Sequence, residues 1–370
     1  MTAKRLGFFT RLLDARPAAE RYRLATLQIQ AAETAGFDSA WIAQHHFHEA
    51  EGGLPSPFVF LAQVAARTRR IRLGTGVITL PMENAVRVAE DAAVLDLLSG
   101  GRLEIGLGTG ATPASFQAFG FAATDRYAVF QRHYRTLQDA WRGEPLGHAE
   151  NRLYPAAPHL ADRVWQATFS ADGGRRAGQA GDGLMLSRTQ PRPADRPKAG
   201  LPDLQHPIID AYLDALPAGR EPRILGSRTL FVADDRAEAR RLAEAGLRAA
   251  LDRFLASGHS VPGRSLDDLI TAFDVHVGTP DEVIESLAAD SALARATDLV
   301  FQVHSIDPPH PLILRSIALT AEKVAPALGW QPRVTREEPP DRVEAAPSTS
   351  TSTSTSSATP AGHRAAAVAH

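Results

Sequence analysis

Cysteine is absent from this sequence of 370 residues, and basic residues are not in excess over acidic ones. Without cysteine the chain has no disulfide, no thiolate ligand for a metal and no cysteine nucleophile. Lys and Arg number 40 against 42 Asp and Glu, which gives a net charge of −2. Because binding to a nucleic acid or an anionic bilayer needs a basic surplus, the composition predicts neither kind of partner.

Long apolar runs are missing as well. Arg11 and Asp14 interrupt the N-terminal segment before an apolar stretch of signal-peptide length can form, and no later run approaches about 18 residues. We therefore expect a cytoplasmic protein without a transmembrane helix. The chain also lacks a G-x-S-x-G elbow, a P-loop and an H-E-x-x-H sequence, which removes most support for hydrolases and kinases.

The last part of the chain, residues 331–370, has the composition of a disordered segment. It contains no Leu, Ile, Phe, Tyr or Trp, and residues 348–359 are almost entirely Ser and Thr. Such a segment buries too few apolar side chains to offset its ordering entropy. The sequence thus predicts one folded domain over residues 1–330, followed by a disordered low-complexity tail over residues 331–370.

Within residues 1–330, short β-rich runs alternate with amphipathic segments. Eight runs are predicted strands: Leu6–Thr10, Ser39–Ala43, Ile71–Leu80, Arg102–Gly106, Val164–Phe169, Leu184–Leu186, Ile224–Val232 and Leu299–His304. Helices are predicted at Arg21–Ala35, Pro57–Arg67, Ala85–Leu98 and Arg126–Trp141. Eight βα units in about 330 residues fit an α/β fold of the (β/α)₈ TIM-barrel type better than two doubly wound domains. Functional groups of such a barrel lie in the loops that follow the strands.

One connection is unusually long. The stretch Ser187–Arg223, after the sixth predicted strand, is rich in proline and glycine and offers one short helix, Pro207–Leu216. We predict a long loop insertion here, a candidate lid over the site. This insertion and the segment Phe116–Phe121 are expected to shape the substrate pocket.

Reactive side chains are densest directly after the second predicted strand, in the sequence Gln44-His45-His46-Phe47-His48-Glu49. At the rim of a barrel a histidine can act as a general base or hydrogen-bond to a cofactor. A solvated polar turn is an equally open interpretation. A metal site using His45, His48 and Glu49 is a third, but no further ligand group stands at a recognisable spacing, so no metal is predicted.

Two glycine-rich stretches interrupt or follow strands. Gly74-Thr75-Gly76-Val77 interrupts the third strand, which indicates either close approach of a ligand or a barrel corner that needs small residues. Gly106-Leu107-Gly108-Thr109-Gly110 follows the fourth strand but matches a dinucleotide fingerprint only loosely, since Ala111 replaces the third glycine and Pro113 delays the helix. A flat surface for a planar ligand is the better interpretation.

The segment Ser170-Ala171-Asp172-Gly173-Gly174-Arg175-Arg176 lies between a predicted strand and a short helix that ends at Ala180. Backbone N–H groups at a helix N-terminus, beside a hydroxyl and arginines, can bind an anion such as phosphate. Simple capping of the helix by Ser170 or Asp172 would use the same residues.

Together these fragments resemble the bacterial-luciferase-like flavin monooxygenases, from Arg5 to about Trp330. The fragments that carry the resemblance occur in the family's order: Ala35-Gly36-Phe37-Asp38 with Trp41, Gln44-His45-His46-Phe47, Gly74-Thr75-Gly76 through Leu80-Pro81, Arg87 with Ala89-Glu90-Asp91, and Leu95 to Arg102 leading into Gly106.

The resemblance implies a barrel that binds reduced FMN at its carboxyl rim. It also implies that O₂ reacts with the flavin and that oxygen passes to a small organic substrate such as an aldehyde. His45 would take the acid–base or hydrogen-bonding role beside the isoalloxazine. The Gly76–Val77 peptide would be a non-proline cis bond facing that ring.

By the same resemblance, the loop with Ser170, Gly173 and Gly174 would hold the FMN phosphate. The planar ligand expected at the flat surface of Gly108 and Thr109 would then be the cofactor. Gln44 replaces the glutamate of many members and cannot serve as a base. Light-emitting members carry a reactive cysteine where this chain has Gly108, so light emission is not expected.

No convincing nicotinamide-binding motif is found in the sequence, so reduced flavin is expected from a separate flavin reductase. One rival is an oxidoreductase on the same barrel that uses the deazaflavin F420. Another is a non-catalytic flavin-binding protein, which the histidine pair disfavours. A homodimer is expected by analogy alone.

Overall fold

The computed structural model describes residues 4–110 and 112–332. Within them the strands are β1 Arg5–Thr10, β2 Ser39–Ile42, β3 Arg72–Thr75, β4 Ile78–Thr79, β5 Leu103–Gly108, β6 Val164–Ala167, β7 Gly183–Leu186, β8 Ile224–Val232, β9 Val275–Gly278 and β10 Asp298–Gln302. The α-helices are α1 Ala18–Thr34, α2 Pro57–Ala65, α3 Ala85–Leu98, α4 Pro113–Ala118, α5 Arg126–Trp141, α6 Ala171–Ala180, α7 Leu201–Ala215, α8 Arg236–Ala256, α9 Leu266–Ala272, α10 Pro280–Ala288, α11 Ser291–Ala294, α12 His310–Leu319 and α13 Ala325–Ala327. Of the predicted tail, residues 333–370 lie outside the described part of the chain, so the predicted domain boundary and disorder stay predictions.

Eight of the strands in the described residues form a closed parallel barrel, in the order β1-β2-β3-β5-β6-β7-β8-β10. Strand β10 closes it: Val300 lies opposite Gly7 of β1 on one side and opposite Ser227 of β8 on the other. Because these pairings are all parallel, the carboxyl ends of the eight strands meet at one rim. The predicted TIM barrel is confirmed.

All eight predicted strands occur, with two differences from the prediction. The third is broken, because β3 ends at Thr75 and β4 resumes at Ile78, where it pairs with β5. Strand β9 is absent from the predicted set. It pairs with the second half of β8, from Thr229 to Val232. The pairing of β8 with β10, which closes the barrel, ends at Thr229. Its four residues, with a histidine inside, give too short a pattern to recognise.

The long connection after β7 differs from the prediction. Its helix α7 spans Leu201–Ala215 and not Pro207–Leu216, so Pro207 lies inside the helix. The helix starts earlier because the Gly200 N–H donates to the Asp203 carboxylate, at 2.9 Å. Helix α7 packs closely against α6 as an ordinary barrel helix. The irregular part is therefore shorter than expected, and Arg192 and Thr189 fasten it to the Asp274 carboxylate.

An apolar aromatic layer fills the barrel interior beneath the rim. It consists of Phe9, Trp41, Ala43, Trp165, Met185, Leu225 and Val300. The rings of Trp41 and Trp165 meet edge to face, with their centroids 5.7 Å apart. Burial of about 200 Å² on one such ring contributes about 5 kcal/mol. The rim thus has a rigid, dry floor.

A buried ion pair fixes the outside of β8. The Arg228 side chain is 0% exposed and donates to both oxygens of Asp290, at 2.5 and 3.1 Å. It also donates to Gln205 on α7, at 2.9 Å, so one guanidinium joins β8 to two neighbouring connections. In the part of the chain that the structure describes, no helix is both long and apolar enough to cross a membrane.

Candidate functional site

The predicted site residues lie after four neighbouring strands, at the carboxyl rim of the barrel. His45 follows β2, the Gly76–Val77 peptide follows β3, Gly108 and Thr109 stand at the end of β5, and Ser170 follows β6. The barrel order β2-β3-β5-β6 makes these positions adjacent around the rim. Barrel closure therefore brings the predicted residues to one side of the molecule.

His45 is held between a guanidinium and a carboxylate. Arg11, directly after β1, donates from Nη2 to Nε2 of His45, at 3.0 Å. Arginine has no acceptor, so Nε2 must carry the lone pair and Nδ1 must carry the proton. Nδ1 faces Oε2 of Glu51, at 3.4 Å. The hydrogen bond from Arg11 thus selects one neutral tautomer of His45, with its N–H on the side of Glu51.

The electrostatics of His45 agree with this assignment. Burial lowers the pKa of His45 below its usual value, the Glu51 carboxylate opposes that change, and the Arg11 charge adds to it. The hydrogen bond from His45 lowers the pKa of Glu51, so this carboxylate is ionised at neutral pH. His45 is accordingly a neutral imidazole that can accept a proton, with a fixed negative charge behind it.

The other polar residues of the cluster have different roles. Gln44 accepts from the Thr79 N–H at 2.7 Å and donates to Glu83 and to the Pro55 carbonyl, so it ties β2 to the segment after β4. His46 packs edge to face against Phe119, at 4.7 Å, and its Nε2 is buried without a hydrogen-bond partner among the described residues.

His48 and Glu49 are exposed. The described residues hold no group of three or more His, Asp or Glu side chains that could bind a metal ion. The solvated-turn interpretation therefore describes His48 and Glu49, while His45 lies in a structured network. The contact between His46 and Phe119 also places the predicted pocket segment 116–121 beside this cluster.

The glycines of the third strand have a packing reason. A Cβ on Gly74 would collide with the Trp41 ring, and a Cβ on Gly76 would collide with Phe9. A Cβ on Gly108 would meet the Val77 side chain in the same way. These glycines make room for the aromatic floor, as expected for a barrel corner that needs small residues. The Gly76–Val77 peptide is cis, which confirms that prediction about the backbone.

The loop after β6 forms an N-terminal cap on α6. The Ser170 hydroxyl accepts from the Gly173 N–H at 3.2 Å, and the Thr168 hydroxyl accepts from the Ser170 N–H at 3.1 Å. The N–H of Gly174 donates to the Ser170 carbonyl, at 3.0 Å. Both glycine N–H groups are thus used within the protein, as the capping alternative requires.

Close packing explains the glycines at this position. A Cβ on Gly174 would collide with the Ile208 carbonyl of α7. The first two N–H groups of α6, from Ala171 and Asp172, have no acceptor among the described residues. Together with the hydroxyls of Thr168 and Ser170, they are the donors that remain for an anion.

Three rim residues are missing from the predicted set: Arg11, Arg188 and His304. Each lies directly after a barrel strand, namely β1, β7 and β10. His304 Nδ1 contacts the Asp307 carboxylate at 2.7 Å. Burial lowers the pKa of His304 to about 4, and the charges of Arg11 and Arg188 act in the same direction while Asp307 opposes them. The sequence signal that could have identified these three residues is their position one or two residues after a barrel strand.

Comparison with known proteins gives a family. The sequence model described as "Luciferase-like monooxygenase" matches residues 6–297. The 4-hydroxyprotoasukamycin monooxygenase of Streptomyces nodosus subsp. asukaensis is 31% identical over 186 residues, which is 48% of this chain and 50% of that protein. The alignment with this relative therefore spans half of its length.

Solved structures share the fold over most of the chain. Monooxygenase RslO1 from Streptomyces bottropensis has a TM-score of 0.71 and 26% identity, with 87% of this chain and 99% of that chain covered. The oxygenating constituent of 3,6-diketocamphane monooxygenase from Pseudomonas putida, solved with FMN, has a TM-score of 0.71 at 20% identity and covers 90% and 100%. The F420-dependent tetrahydromethanopterin reductase of Methanopyrus kandleri has a TM-score of 0.62 at 18% identity and covers 88% and 100%. The latter two likenesses concern the fold alone.

Proposed function

Because this chain belongs to the luciferase-like monooxygenase family, we propose that it is an FMN-dependent monooxygenase that oxygenates a small organic substrate with reduced flavin and O₂. The observation that carries the proposal is the arrangement of the rim. A neutral, oriented histidine stands at the rim of a barrel with an apolar aromatic floor, and a set of N–H and hydroxyl donors lies further along the same rim.

The residues at the rim fit a flavin mononucleotide. The free N–H groups of Ala171 and Asp172, with the Thr168 and Ser170 hydroxyls, would hold the phosphate at the positive end of α6. Arg176 lies on the same helix, with its guanidinium 4.6 Å from the centre of the Tyr127 ring. Gly173 and Gly174 would act indirectly, by letting α6 begin here.

The flavin ring system would lie against the segments after β3 and at the end of β5, which contain Gly76, Val77, Gly108 and Thr109. Val77 packs on the aromatic floor and is only partly buried, so part of it faces the rim. The apolar floor excludes water from below, which protects a reduced cofactor and the oxygen-transfer step from side reactions.

When bound, reduced flavin supplies the electrons and reacts with O₂. The protein's own part is binding, orientation and proton management. The lone pair of His45 Nε2 can receive a proton if Arg11 yields its hydrogen bond, and the Glu51 carboxylate would stabilise the resulting imidazolium. We propose that a separate flavin reductase delivers the reduced cofactor.

Cofactor titration tests the proposal. The purified chain is titrated with reduced FMN, oxidised FMN and F420 without oxygen, and then mixed with air in a stopped-flow spectrophotometer. We expect binding of reduced FMN and a flavin spectrum that changes on reaction with O₂ more slowly than that of free flavin. Selective binding of F420 without a reaction with O₂ would instead support hydride transfer. Binding of FMN without any effect on its reaction with O₂ would support a flavin-binding protein.

We also propose a homodimer that uses the outer faces of α2 and α3. Val59 of α2 is 74% exposed, and Leu97 and Leu98 of α3 are 65% and 64% exposed. Val94 lies one turn before Leu97 and Leu98 and is exposed too, so α3 presents an apolar stripe. Light scattering after size exclusion should give twice the chain mass. Leu97→Glu should shift it to one chain mass, and a wild-type monomer would refute the proposal.

A further inference from the structure

Two arginines at the rim lack an anionic partner. Arg11 follows β1 and Arg188 follows β7, and among the described residues neither guanidinium lies within 4.0 Å of a carboxylate. Arg192, only four residues beyond Arg188, shows the contrast, because it binds both oxygens of Asp274 at 2.5 and 2.8 Å. Guanidinium groups removed from bulk water are normally paired.

The contacts of Arg11 are all neutral. Its Nη2 donates to His45 at 3.0 Å and approaches the Glu51 carbonyl at 3.4 Å. Its Nε is buried and has no hydrogen-bond partner among the described residues. Burial lowers the pKa of Arg11. At least one N–H of this guanidinium is therefore desolvated and unused.

Arg188 is in a similar position. Its Nη1 donates to the Thr229 hydroxyl at 3.1 Å, and that hydroxyl donates to the His304 carbonyl at 2.7 Å. Burial, with a smaller contribution from the charge of Arg11, lowers the pKa of Arg188 to about 9. Arg188 is still protonated at neutral pH, so two like charges face each other across one part of the rim.

The nearest carboxylates are already occupied by histidines. The Asp307 carboxylate lies 2.7 Å from His304 Nδ1, and the Glu51 carboxylate lies 3.4 Å from His45 Nδ1. Asp307 acts on both arginines, and Glu51 on Arg11, only at longer range. Asp274, which also acts on Arg188 at longer range, is bound by Arg192. Arg253, on α8, adds a further positive charge near Arg11. The guanidinium N–H groups are thus left for a group that the described residues do not supply.

We propose that Arg11 and Arg188 form the receptor for a carboxylate on the substrate, whose apolar body lies on the aromatic floor. A planar fork of N–H donors matches a carboxylate, and Val77 and Ala167, which are partly buried and pack on the aromatic floor, offer an apolar surface. The inference rests on the proposed function, since it names the substrate class of the same site. The proposed phosphate donors belong to a different loop, the one after β6, whereas the arginines follow β1 and β7.

Calorimetric titration with matched probes tests the receptor. The probes are decanoate and methyl decanoate, and 2-naphthoate and methyl 2-naphthoate, each added to the full chain. We expect one carboxylate to bind at least about tenfold more tightly than its ester. Arg11→Met and Arg188→Met should each remove about tenfold of the carboxylate affinity and leave the ester unchanged. Arg248→Met, in an exposed pair with Glu244, is the matched control and should change nothing.

Two further measurements separate this inference from the proposed function. FMN affinity should stay within about twofold in both variants, because the phosphate donors lie elsewhere. Arg188→Met should keep or raise the melting temperature, since it removes an unpaired, desolvated charge.

Equal binding of acid and ester, or no binding of either, would overturn the receptor while leaving flavin use intact. Loss of FMN affinity in the variants would assign the arginines to the cofactor. A large fall in melting temperature would make them structural. Either result would overturn the inference.

Discussion

Replacing His45 by Ala and by Gln separates proton transfer from positioning. The Gln side chain can accept from Arg11, as the neutral imidazole does at 3.0 Å, and can present its NH₂ to Glu51, which the imidazole Nδ1 faces at 3.4 Å. Unlike the imidazole, it cannot take up a proton. His45→Ala removes the side chain that contacts both Arg11 and Glu51. If His45 acts as an acid or base, both variants should lose about 10²–10⁴ in turnover, which is about 3–5 kcal/mol of transition-state stabilisation.

The assay is single-turnover product formation with reduced FMN, O₂ and a substrate of the wild-type protein. The His45 side chain is 24% exposed, and its polar contacts among the described residues are those with Arg11 and Glu51. We therefore expect both variants to fold with nearly unchanged melting temperatures. His46→Ala is the comparison, and it should disturb packing more, since His46 contacts Phe119.

The result that would refute the reasoning is specific. Near-wild-type turnover of His45→Ala would remove His45 from the chemistry altogether. Recovery of turnover in His45→Gln, with a large loss in His45→Ala, would show that His45 only positions Arg11 and Glu51.

Four other predictions follow from named contacts. Ser170→Ala should weaken FMN far more than riboflavin, measured by fluorescence titration, and equal losses would argue against phosphate contact there. Burial raises the pKa of Asp182 to about 6, so the folded state binds the proton more tightly than the unfolded chain. Stability from this group should therefore fall as pH rises from about 4 to 6, and Asp182→Asn should flatten that part of the unfolding profile. Arg228→Met should cost about 3–5 kcal/mol in denaturant unfolding, because it strands the buried Asp290 carboxylate, and a loss below about 1 kcal/mol would contradict this. Removal of residues 331–370 should leave melting temperature and flavin affinity unchanged, and a clear fall would show that the tail contributes to the fold.

The barrel was predictable because its signal is local and repeated. Strands such as Ile224–Val232 and helices such as Ala85–Leu98 occur with the predicted bounds. Helix α7 was misjudged because Pro202 and Pro207 read as breaks, whereas the Gly200 cap and the packing on α6 override them. At this helix, tertiary contacts outweigh the local tendency of proline to end a helix.

The site was predictable where one stretch of sequence contains it. His45 stands in a dense cluster after a strand, so its position at the rim could be inferred. The partners of His45 could not be read in the same way. Arg11 comes from another strand, and Glu51 becomes a partner only because the chain turns back through a short 3₁₀ helix, Glu49–Glu51.

The glycines show why position alone could not settle their role. Gly74 and Gly76 were compatible with a ligand or with a crowded barrel corner, and the deciding neighbours, Trp41 and Phe9, lie on other strands. Which ring fills the space beside a glycine depends on strand register, and register is a property of the closed barrel.

The rim is also where this chain departs from the rules that stabilise its body. Elsewhere the donors of buried guanidinium groups are used: Arg228 binds Asp290 and Gln205, and Arg102 donates to carbonyl and hydroxyl oxygens. At the rim, Arg11 has a buried Nε without a partner among the described residues, and His46 has a buried Nε2 in the same state. Such groups cost stability, because each loses water without gaining a hydrogen bond. A chain retains this cost where the groups have another use, and these residues surround the apolar floor on which the substrate is proposed to lie.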